Sequence, residues 1–334
     1  ADDMTGTAIP AEFLSHNGNP GLERRSKAGK LQQIDAQLNF TISNGNALTA
    51  NSTYSWNGTL TVPTAGSYML YLQNLGCYAT LTLDGKKLAS NSQMVIHGDI
   101  TQAGQDNIMP TTDGLDDLRV NIHLTAGPHI LKVSIKPDTS NNPTQVRLSW
   151  VTPAQQKENY NAAIAAARHA RMAVVFAWSA DDPIFHLPGD QDKLITDFAA
   201  VNPNTVVVLN VTQPVAMPWL SKVKSVLQMW FPGDEGGWAT ANLLLGKVSP
   251  AGRLPFTWSQ RLDQGVANNT AHPERSSHLE GQGKTIYSEG IFMGYRWYDQ
   301  QKLTPLYPFG YGLSYTRFEY SDLKVARAAD DGLD

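Results

Sequence analysis

The chain has almost no cysteine and no long apolar run, and each absence excludes a class of protein. Cys77 is the single cysteine among 334 residues, which excludes an internal disulfide and any zinc site built from several cysteines. No apolar run approaches the roughly 20 residues that a membrane-spanning helix requires. No charged-then-apolar segment of the secretory type starts at Ala1, so we expect a mature, processed or partial chain.

An excess of positive charge is also missing. The sequence has 26 Lys and Arg against 30 Asp and Glu, for a formal net charge of −4. A nucleic-acid or anionic-membrane partner would favour a basic stripe, so we expect neither. The histidines show no paired metal-ligand spacing, and we predict neither a metal nor another cofactor.

Residues 1–152 have the pattern of an all-β unit. The stretch GTLTVPTAGSYMLYLQ predicts two short strands around a Pro-Thr-Ala-Gly turn, with Leu60 and Val62 alternating with threonines. In ATLTLDGKKLA, Asp84-Gly85 separates two strand-like runs, a strong hairpin signal. Short strands with turns at this spacing indicate a β-sandwich.

Near Pro153 the pattern changes to helices alternating with apolar strands. AVVFA, TVVVLN and SVLQMW predict strands, while QQKENYNAAIAAARHA, DQDKLITDFAAV and EGGWATANLLLG predict helices, the second with Leu194, Ile195 and Phe198 at helical spacing. Strands that are apolar throughout and alternate with helices indicate a parallel sheet covered on both faces. We therefore predict an α/β unit over residues 153–316.

Acidic and indole side chains concentrate in the loops that would follow these strands. In open α/β sheets, ligands bind beyond the carboxyl ends of the strands. The residues expected there are Asp181, Asp182, Asp234 and Glu235, with Trp178, Trp219 and Trp230 nearby. Carboxylates beside indole rings are a combination that sugar sites use. The structural alternative is that Asp182-Pro183 forms a turn and Asp234-Glu235 begins a helix.

The second half resembles the α/β-sandwich domain of family 3 glycoside hydrolases, chiefly β-glucosidases. The resemblance rests on LPGDQDKLI, NPNTVVVLNVTQPVAMPW, WFPGDEGGWATANLLLGKVSPAGRLPFTW and YSEGIFMGYRWYD…LTPLYPFGYGLSYTRFEY, which span residues 173–320 in the family's order. YSWNGTLTVPTAGSYMLYLQ and LTLDGKKL in the first half resemble the protective-antigen-type β-sandwich that some of these enzymes carry as an insert. FEYSDLKV is similar to the first strand of a fibronectin-like domain, so residues 317–334 are expected to begin such a domain or form a tail.

The resemblance implies an exo-acting, retaining β-glycosidase acting on a β-linked oligosaccharide or glycoside. Family enzymes begin with a (β/α)8 barrel that bears the aspartate nucleophile, and this chain contains no such barrel. We therefore expect a separate barrel polypeptide as partner, and the resemblance also allows a homodimer of the whole enzyme. A non-catalytic carbohydrate-binding or regulatory subunit is the alternative function.

The loop at Asp181 departs from the family pattern. The family commonly has Glu-Gly-x-Asp-Arg before Leu-Pro-Gly, the glutamate being the acid/base, whereas WSADDPIFHLPG has no glutamate or arginine. Counted back from Leu187, Trp178 takes the glutamate's place and Asp181 the aspartate's; with a deletion, Asp181 replaces the glutamate. Asp181 is the preferred acid/base and Asp182 the second candidate, and a glutamate from elsewhere remains open.

Three further expectations concern residues away from that loop. Glu289 in YSEGIF matches a family glutamate near the domain interface and is expected to contact sugar or to form a buried ion pair, for example with Arg296. The stretch 92–120 is the least strand-like part of the first half, and we expect either a mobile substrate rim or an ordinary surface excursion. Five Asn-x-Ser/Thr sequons give weak support for a secreted or periplasmic protein.

Overall fold

The computed structural model describes residues 5–91, 105–108, 111–179, 185–276 and 285–325, with the backbone alone for 105–108. Within this part of the chain, strands far outnumber helices, which confirms the expected sheet-rich, mixed architecture at that level. The chain divides into two compact units, Ala1–Ala163 and Ile164–Asp334, here called unit 1 and unit 2. The division falls within helix α1 (Pro153–His169).

Unit 1 is built from antiparallel strands. In chain order they are β1 (Thr7–Ala8), β2 (Leu14–His16), β3 (Asn19–Pro20), β4 (Leu22–Ser26), β5 (Leu31–Asp35), β6 (Asn39–Phe40), β7 (Tyr54–Val62), β8 (Gly66–Leu75), β9 (Cys77–Leu83), β10 (Lys86–Ser90), β11 (Gln105–Ile108), β12 (Asp116–Leu124), β13 (Gly127–Pro137) and β14 (Gln145–Val151). Among the described residues, one sheet has the order β1-β14-β8-β12-β11, with β6 also on β14. The other has the order β10-β9-β13-β7-β2-β3, with β4 paired to β7 and β5 paired to β4.

Alternating side chains from the two sheets form one core. Every second residue of β9 is buried, as the period of two in a pleated strand requires when one face is covered. Leu72 and Trp150 from the first sheet lie in the same apolar cluster as Trp56 and Leu81 from the second. Two sheets that share one apolar layer form a β-sandwich, as the turn spacing predicted.

The turns of unit 1 are of two kinds. The Asp84-Gly85 hairpin is confirmed: Leu83 pairs with Lys86, and both turn residues have positive φ angles, 51° and 77°, which a type I′ turn requires. The Pro-Thr-Ala-Gly turn also joins two strands, β7 and β8, but these belong to different sheets. That connection therefore carries the chain across the sandwich.

The stretch 92–120 is more regular than its composition indicates. Gln105–Ile108 form β11, which pairs antiparallel with Asp117–Val120 of β12. The sequence pattern missed these two strand segments, because backbone pairing with β12 organises polar residues that lack apolar alternation. Residues 92–104 and 109–110 lie outside the described residues, so the rim itself stays a prediction.

Unit 2 contains a three-stranded parallel sheet in its described part. Its strands are β15 (Ala173–Trp178), β16 (Thr205–Asn210) and β17 (Ser225–Gln228), and its helices after α1 are α2 (Gln191–Val201), α3 (Gly236–Leu244) and α4 (Tyr295–Gln301). The spatial order is β15-β16-β17, with both pairs parallel. All six residues of β16 are buried, as expected of a strand covered on both faces.

Helix α2 closes one side of this sheet. Ile195 is fully buried, while Leu194 and Phe198 pack against the cluster that contains Val207 and Leu209 of β16. The spacing of these three apolar residues puts them on one helix face. Residues 317–325, the described part of the expected fibronectin-like start, contain no strand.

One ion pair of unit 1 couples the fold to pH. The Nδ1 atom of His129 lies 2.7 Å from Oδ2 of Asp84, and its Nε2 atom lies 2.9 Å from the Thr125 carbonyl oxygen. An imidazole that donates to two acceptors must carry both protons. The hydrogen bond to Asp84 accordingly raises the pKa of His129 and lowers the pKa of Asp84.

We expect His129→Gln to reduce the free energy of unfolding in acid more than in alkali. Because the pKa of His129 is raised in the folded state, its contribution is complete below the unfolded pKa of about 6.5 and is lost as pH rises through the folded value. Urea unfolding at about pH 5.5 and about pH 9 measures the difference. His123→Gln, an exposed histidine of β12, is the control. Equal losses at both pH values would contradict the assignment.

Candidate functional site

The parallel pairing aligns the carboxyl ends of three strands. Trp178 pairs with Asn210 at the ends of β15 and β16, and Leu209 pairs with Gln228 at the end of β17. The segments after these three strands therefore leave the sheet at one edge. This is the edge at which open α/β sheets bind ligands, and we call it the strand-end edge.

Trp178 is an exposed aromatic residue at this edge. Along β15, Ala173, Val175 and Ala177 are buried, whereas the alternate residues point to the other face. Trp178 is 51% exposed, so its indole is open to a ligand or a partner. The structure thus puts this expected site residue at the carboxyl end of the strand. Asp181 and Asp182 follow within residues 180–184, which lie outside the described residues.

A glutamine at the start of α2 fixes the two ends of the loop that bears these aspartates. The side-chain oxygen of Gln191 accepts a hydrogen bond from the Trp178 backbone N–H at 2.8 Å. Its Nε2 atom donates to the Trp178 carbonyl at 2.8 Å and to the Pro188 carbonyl at 3.0 Å. The amide pairs with Trp178 as a neighbouring strand would. Sequence reasoning missed Gln191, although its place in LPGDQDKLI was the available signal.

The other two tryptophans expected near the site have structural roles. Trp219 is completely buried, and its Nε1 donates to Oδ1 of Asp192 at 2.7 Å. Trp230 packs against Phe256 and Trp258, with ring centroids 5.5 Å and 6.4 Å away. Burial closes the Trp219 ring to a ligand, whereas Trp230 is partly buried against the same core cluster.

The second acidic pair begins α3. Glu235 is the residue immediately before the helix and makes no capping hydrogen bond with its side chain. Asp234 and Glu235 are both exposed. Their position fits the structural alternative, since a negative charge near a helix N-terminus interacts favourably with the helix dipole.

Glu289 is held in a buried ion pair. Its Oε2 atom lies 3.5 Å from Nε of Arg275, and the two side chains are 6% and 7% exposed. The partner is therefore Arg275, not the suggested Arg296, whose guanidinium lies 5.4 Å from the Tyr295 ring centroid. Among the described residues, Oε2 of Glu289 and Nη1 of Arg275 have no hydrogen-bond partner, so the contact is ionic.

Arg275 is anchored by several neighbours. It donates from Nε to the Ser288 hydroxyl at 2.8 Å and lies 5.3 Å from the Trp297 ring centroid. Ser288 in turn donates to Oε1 of Glu274 at 2.6 Å, and this bond holds the pKa of Glu274 below its usual value. Glu289 therefore forms a buried ion pair, the structural alternative expected for it, and its contact with sugar stays a prediction.

Two negative findings apply to the part of the chain that the structure describes. No three His, Cys, Asp or Glu side chains there converge in an arrangement that could hold a metal ion. No helix of the same residues has both the length and the hydropathy to cross a membrane.

The site and fold define a class: an α/β unit with an acidic, tryptophan-bearing loop at its strand-end edge, preceded by a β-sandwich. The family model of the glycosyl hydrolase family 3 C-terminal domain matches residues 29–295. Because this match covers well over half of the chain, the chain belongs to glycosyl hydrolase family 3.

Individual relatives agree with this assignment. A beta-glucosidase of Rhizobium radiobacter is 48% identical over 156 residues, which are 46% of this chain and 19% of that protein. Beta-glucosidase B of Emericella nidulans is 40% identical over 200 residues, 54% of this chain and 23% of that protein. The chain therefore spans about a fifth of the length of these curated relatives.

Solved structures match over nearly the whole chain. DesR, a beta-glucosidase from Streptomyces venezuelae in complex with D-glucose, is 34% identical with a TM-score of 0.60, covering 99% of this chain and 37% of that one. A beta-glucosidase from Kluyveromyces marxianus in complex with glucose has a TM-score of 0.50 at 23% identity, covering 98% and 40%. The second likeness shows the fold alone.

We expect Gln191→Ala to loosen the loop between Trp178 and Pro188. The substitution removes three partly exposed hydrogen bonds, and we expect a loss of about 1–2 kcal/mol of stability. The Trp178 amide should exchange its hydrogen faster, which hydrogen-exchange mass spectrometry of the 174–192 peptide measures. Gln300→Ala, at an exposed position of α4, should leave this exchange unchanged. Unaltered exchange in the Gln191 variant would refute the clamp.

We expect Glu289→Gln to destabilise unit 2 by up to about 3 kcal/mol, because it removes the nearer and more buried of the two carboxylates beside the Arg275 guanidinium and leaves only Glu274, at 4.0 Å. Chemical denaturation measures the loss, and the Arg275→Gln/Glu289→Gln double variant gives the coupling between the two sites. Arg296→Gln is the matched control, since that arginine lies against the Tyr295 ring. If Arg296→Gln lowered the free energy of unfolding and Glu289→Gln did not, the assignment of Arg275 as the partner of Glu289 would be wrong.

Proposed function

We propose that this chain forms part of an exo-acting, retaining β-glycosidase of the β-glucosidase type and supplies the acid/base side of its active site. The observation that carries the proposal is the half-exposed Trp178, held by Gln191 at the strand-end edge directly before the loop with Asp181 and Asp182. Relatives named beta-glucosidases, and the DesR structure with D-glucose, support a β-glucoside as substrate class.

The proposed chemistry uses two carboxyl groups about 5 to 5.5 Å apart. Asp181, protonated, gives its proton to the glycosidic oxygen as the bond from this oxygen to the anomeric carbon breaks. A carboxylate of the partner polypeptide attacks the same carbon and forms a covalent glycosyl ester. Asp181, now ionised, takes a proton from the water that hydrolyses this ester, which restores both groups. Asp182 is the second candidate for this role.

Trp178 is proposed to bind the sugar through the face of its indole. The axial C–H groups of a β-glucoside form an apolar face, and an aromatic ring packs on such a face. Aspartate is one methylene shorter than glutamate. The loop backbone must therefore approach the substrate more closely than in the family's usual arrangement, and the clamp at Gln191 gives the loop a fixed base for that approach.

The partner is proposed to be a polypeptide that carries the N-terminal (β/α)8 barrel and the nucleophile. In the described sheet, β15 is an edge strand, and its residues Val174, Phe176 and Trp178 are 36%, 48% and 51% exposed. Ile291 and Leu313 of unit 2 are more exposed still, at 70% and 73%. Unpaired strand edges and apolar patches of this kind mark surfaces that another chain or segment covers.

We further propose a domain organisation and a location. The two-sheet core of unit 1 supports a protective-antigen-like sandwich over 1–152, followed by the α/β sandwich over 153–316 and a fibronectin-like start or tail over 317–334. A secreted or periplasmic location is supported by the sequon at Asn51, whose exposed side chain lies in a turn. Asn210 gives no such support, because it is 2% exposed.

The second candidate function is a non-catalytic carbohydrate-binding or regulatory subunit. It is favoured by the absence of a glutamate from WSADDPIFHLPG. The two candidates differ in what the loop carboxylates do: in the first they transfer protons, and in the second they do not affect turnover.

We expect Asp181→Asn, assayed together with the barrel polypeptide, to lower kcat/KM for a nitrophenyl β-glucoside about 10²- to 10⁴-fold, the usual contribution of a general acid/base. The loss should be smaller for glucosides with more acidic leaving groups, which depart without a proton. Azide should restore turnover of the most activated substrate, since an anionic nucleophile needs no general base.

Asp182→Asn and Asp190→Asn complete the series. Asp190 is exposed and makes no capping hydrogen bond at the start of α2, so its variant should keep full activity. The larger loss between positions 181 and 182 identifies the acid/base. Full activity in both variants would exclude the loop from catalysis and leave the second candidate function.

A further inference from the structure

A polar pocket lies in unit 1. It has a volume of about 350 Å³, at the lower end of the roughly 300–1,000 Å³ typical of small-ligand sites. Four of its lining residues carry side-chain amides, and the others used in the argument are a carboxylate and an aromatic ring. These residues are Gln37, Asn39, Asn44 and Asn46, with Asp35 and Phe40. We call it the amide pocket.

The walls of the amide pocket are fixed by hydrogen bonds within the protein. Asn46 accepts from the Thr41 backbone N–H at 3.0 Å through Oδ1 and donates through Nδ2 to the Asn39 carbonyl at 2.9 Å. The Ile42 N–H donates to Oε1 of Gln145 at 2.7 Å. Asn39 also pairs with Arg147 in the sheet. The loop after β6 is thus pre-organised, which lowers the entropy cost of binding.

The negative charge at the pocket is already compensated. Oδ2 of Asp35 accepts a hydrogen bond from Nε1 of Trp56 at 2.7 Å and lies 3.2 Å from Nε of Arg24. Gln33 donates to the other carboxylate oxygen. These partners occupy the carboxylate, and Arg24 lies beside it as its counter-charge. The described residues that line the pocket include no cation for a phosphate or carboxylate ligand.

Several amide groups in the pocket remain available. Gln37 donates to the Ile9 carbonyl at 2.9 Å, while its own side-chain oxygen accepts from no described residue. The side chains of Asn39 and Asn44 likewise have no hydrogen-bond partner among the described residues, and Oδ1 of Asn39 is buried in that state. An amide both donates and accepts, and buried polar groups are ordinarily satisfied.

We propose that the amide pocket is a saccharide-binding site for a neutral mono- or disaccharide. Each sugar hydroxyl both donates and accepts, which matches the free amides, and the ring of Phe40 gives an apolar wall for C–H groups. An apolar ligand would leave the amides unpaired, and an anionic ligand would find no cationic partner among the described lining residues. The inference is independent of the chemistry assigned to Asp181 and uses the proposed function only to choose the test sugars.

Titration of the full chain with D-glucose and cellobiose, followed by NMR of side-chain and backbone amides, tests this site. Binding should shift the amide signals of residues 36–46. Asn39→Ala/Asn44→Ala should weaken that binding at least about tenfold, since two hydrogen bonds are lost. Asn121→Ala, an exposed asparagine of β12, should bind as the unmodified chain does, and so should Asp181→Asn.

Three results would overturn the proposal: no shifts with either sugar, shifts confined to unit 2, or unchanged affinity in the double variant. Circular dichroism checks that each variant is folded. If the double variant is unfolded, Asn44→Ala alone, at an exposed loop position, should still weaken binding. Loss of glycosidase activity in Asp181→Asn with sugar binding intact separates this site from the proposed active site.

Discussion

Parallel pairing of β15, β16 and β17 is the constraint on which the candidate site depends. The pairing brings the carboxyl ends of three strands to one edge, and the segment that follows each strand along the chain begins at that edge. Any residue that directly follows β15, β16 or β17 must leave the sheet there. The acidic loop, the exposed indole of Trp178 and the start of α3 are therefore gathered by backbone hydrogen bonding, with no contact between them required.

Gln191 joins the end of β15 to the start of α2. Its side-chain amide binds the backbone of Trp178 and the carbonyl of Pro188. One glutamine therefore holds together the described residues that lie on either side of Asp181 and Asp182 in the chain, and it does so through backbone atoms.

Both units combine satisfied and unsatisfied buried polar groups. In unit 1, Asp35 and His129 have hydrogen-bond partners, whereas the buried Nε of Arg24 has none among the described residues. In unit 2, the Arg275–Glu289 pair retains an unpaired atom on each side within the described residues. Such a pair is costly to break and holds the segment before α4 in place. The amide pocket combines both kinds of group. Asn46 in its wall is hydrogen-bonded within the protein, whereas Oδ1 of Asn39 has no partner among the described residues.

The sequence by itself determined the class of structure in each unit. Periodicity separated the alternating strands of unit 1 from the continuous strands of unit 2, and Asp84-Gly85 marked its hairpin, because these signals are local. The family motifs also come from the sequence, since they depend on residue order alone.

Tertiary structure alone decided which side chains are open and which pairs form. Trp178 and Trp219 were both expected near the site. Trp178 is half exposed, whereas Trp219 is buried and its indole N–H donates a hydrogen bond to Asp192. The pairing of β11 with β12, the partner of Glu289 and the clamp at Gln191 join residues whose contact no local pattern encodes. Packing and burial depend on what the folded chain places beside each residue, and this is the physical reason that such contacts cannot be read from a sequence.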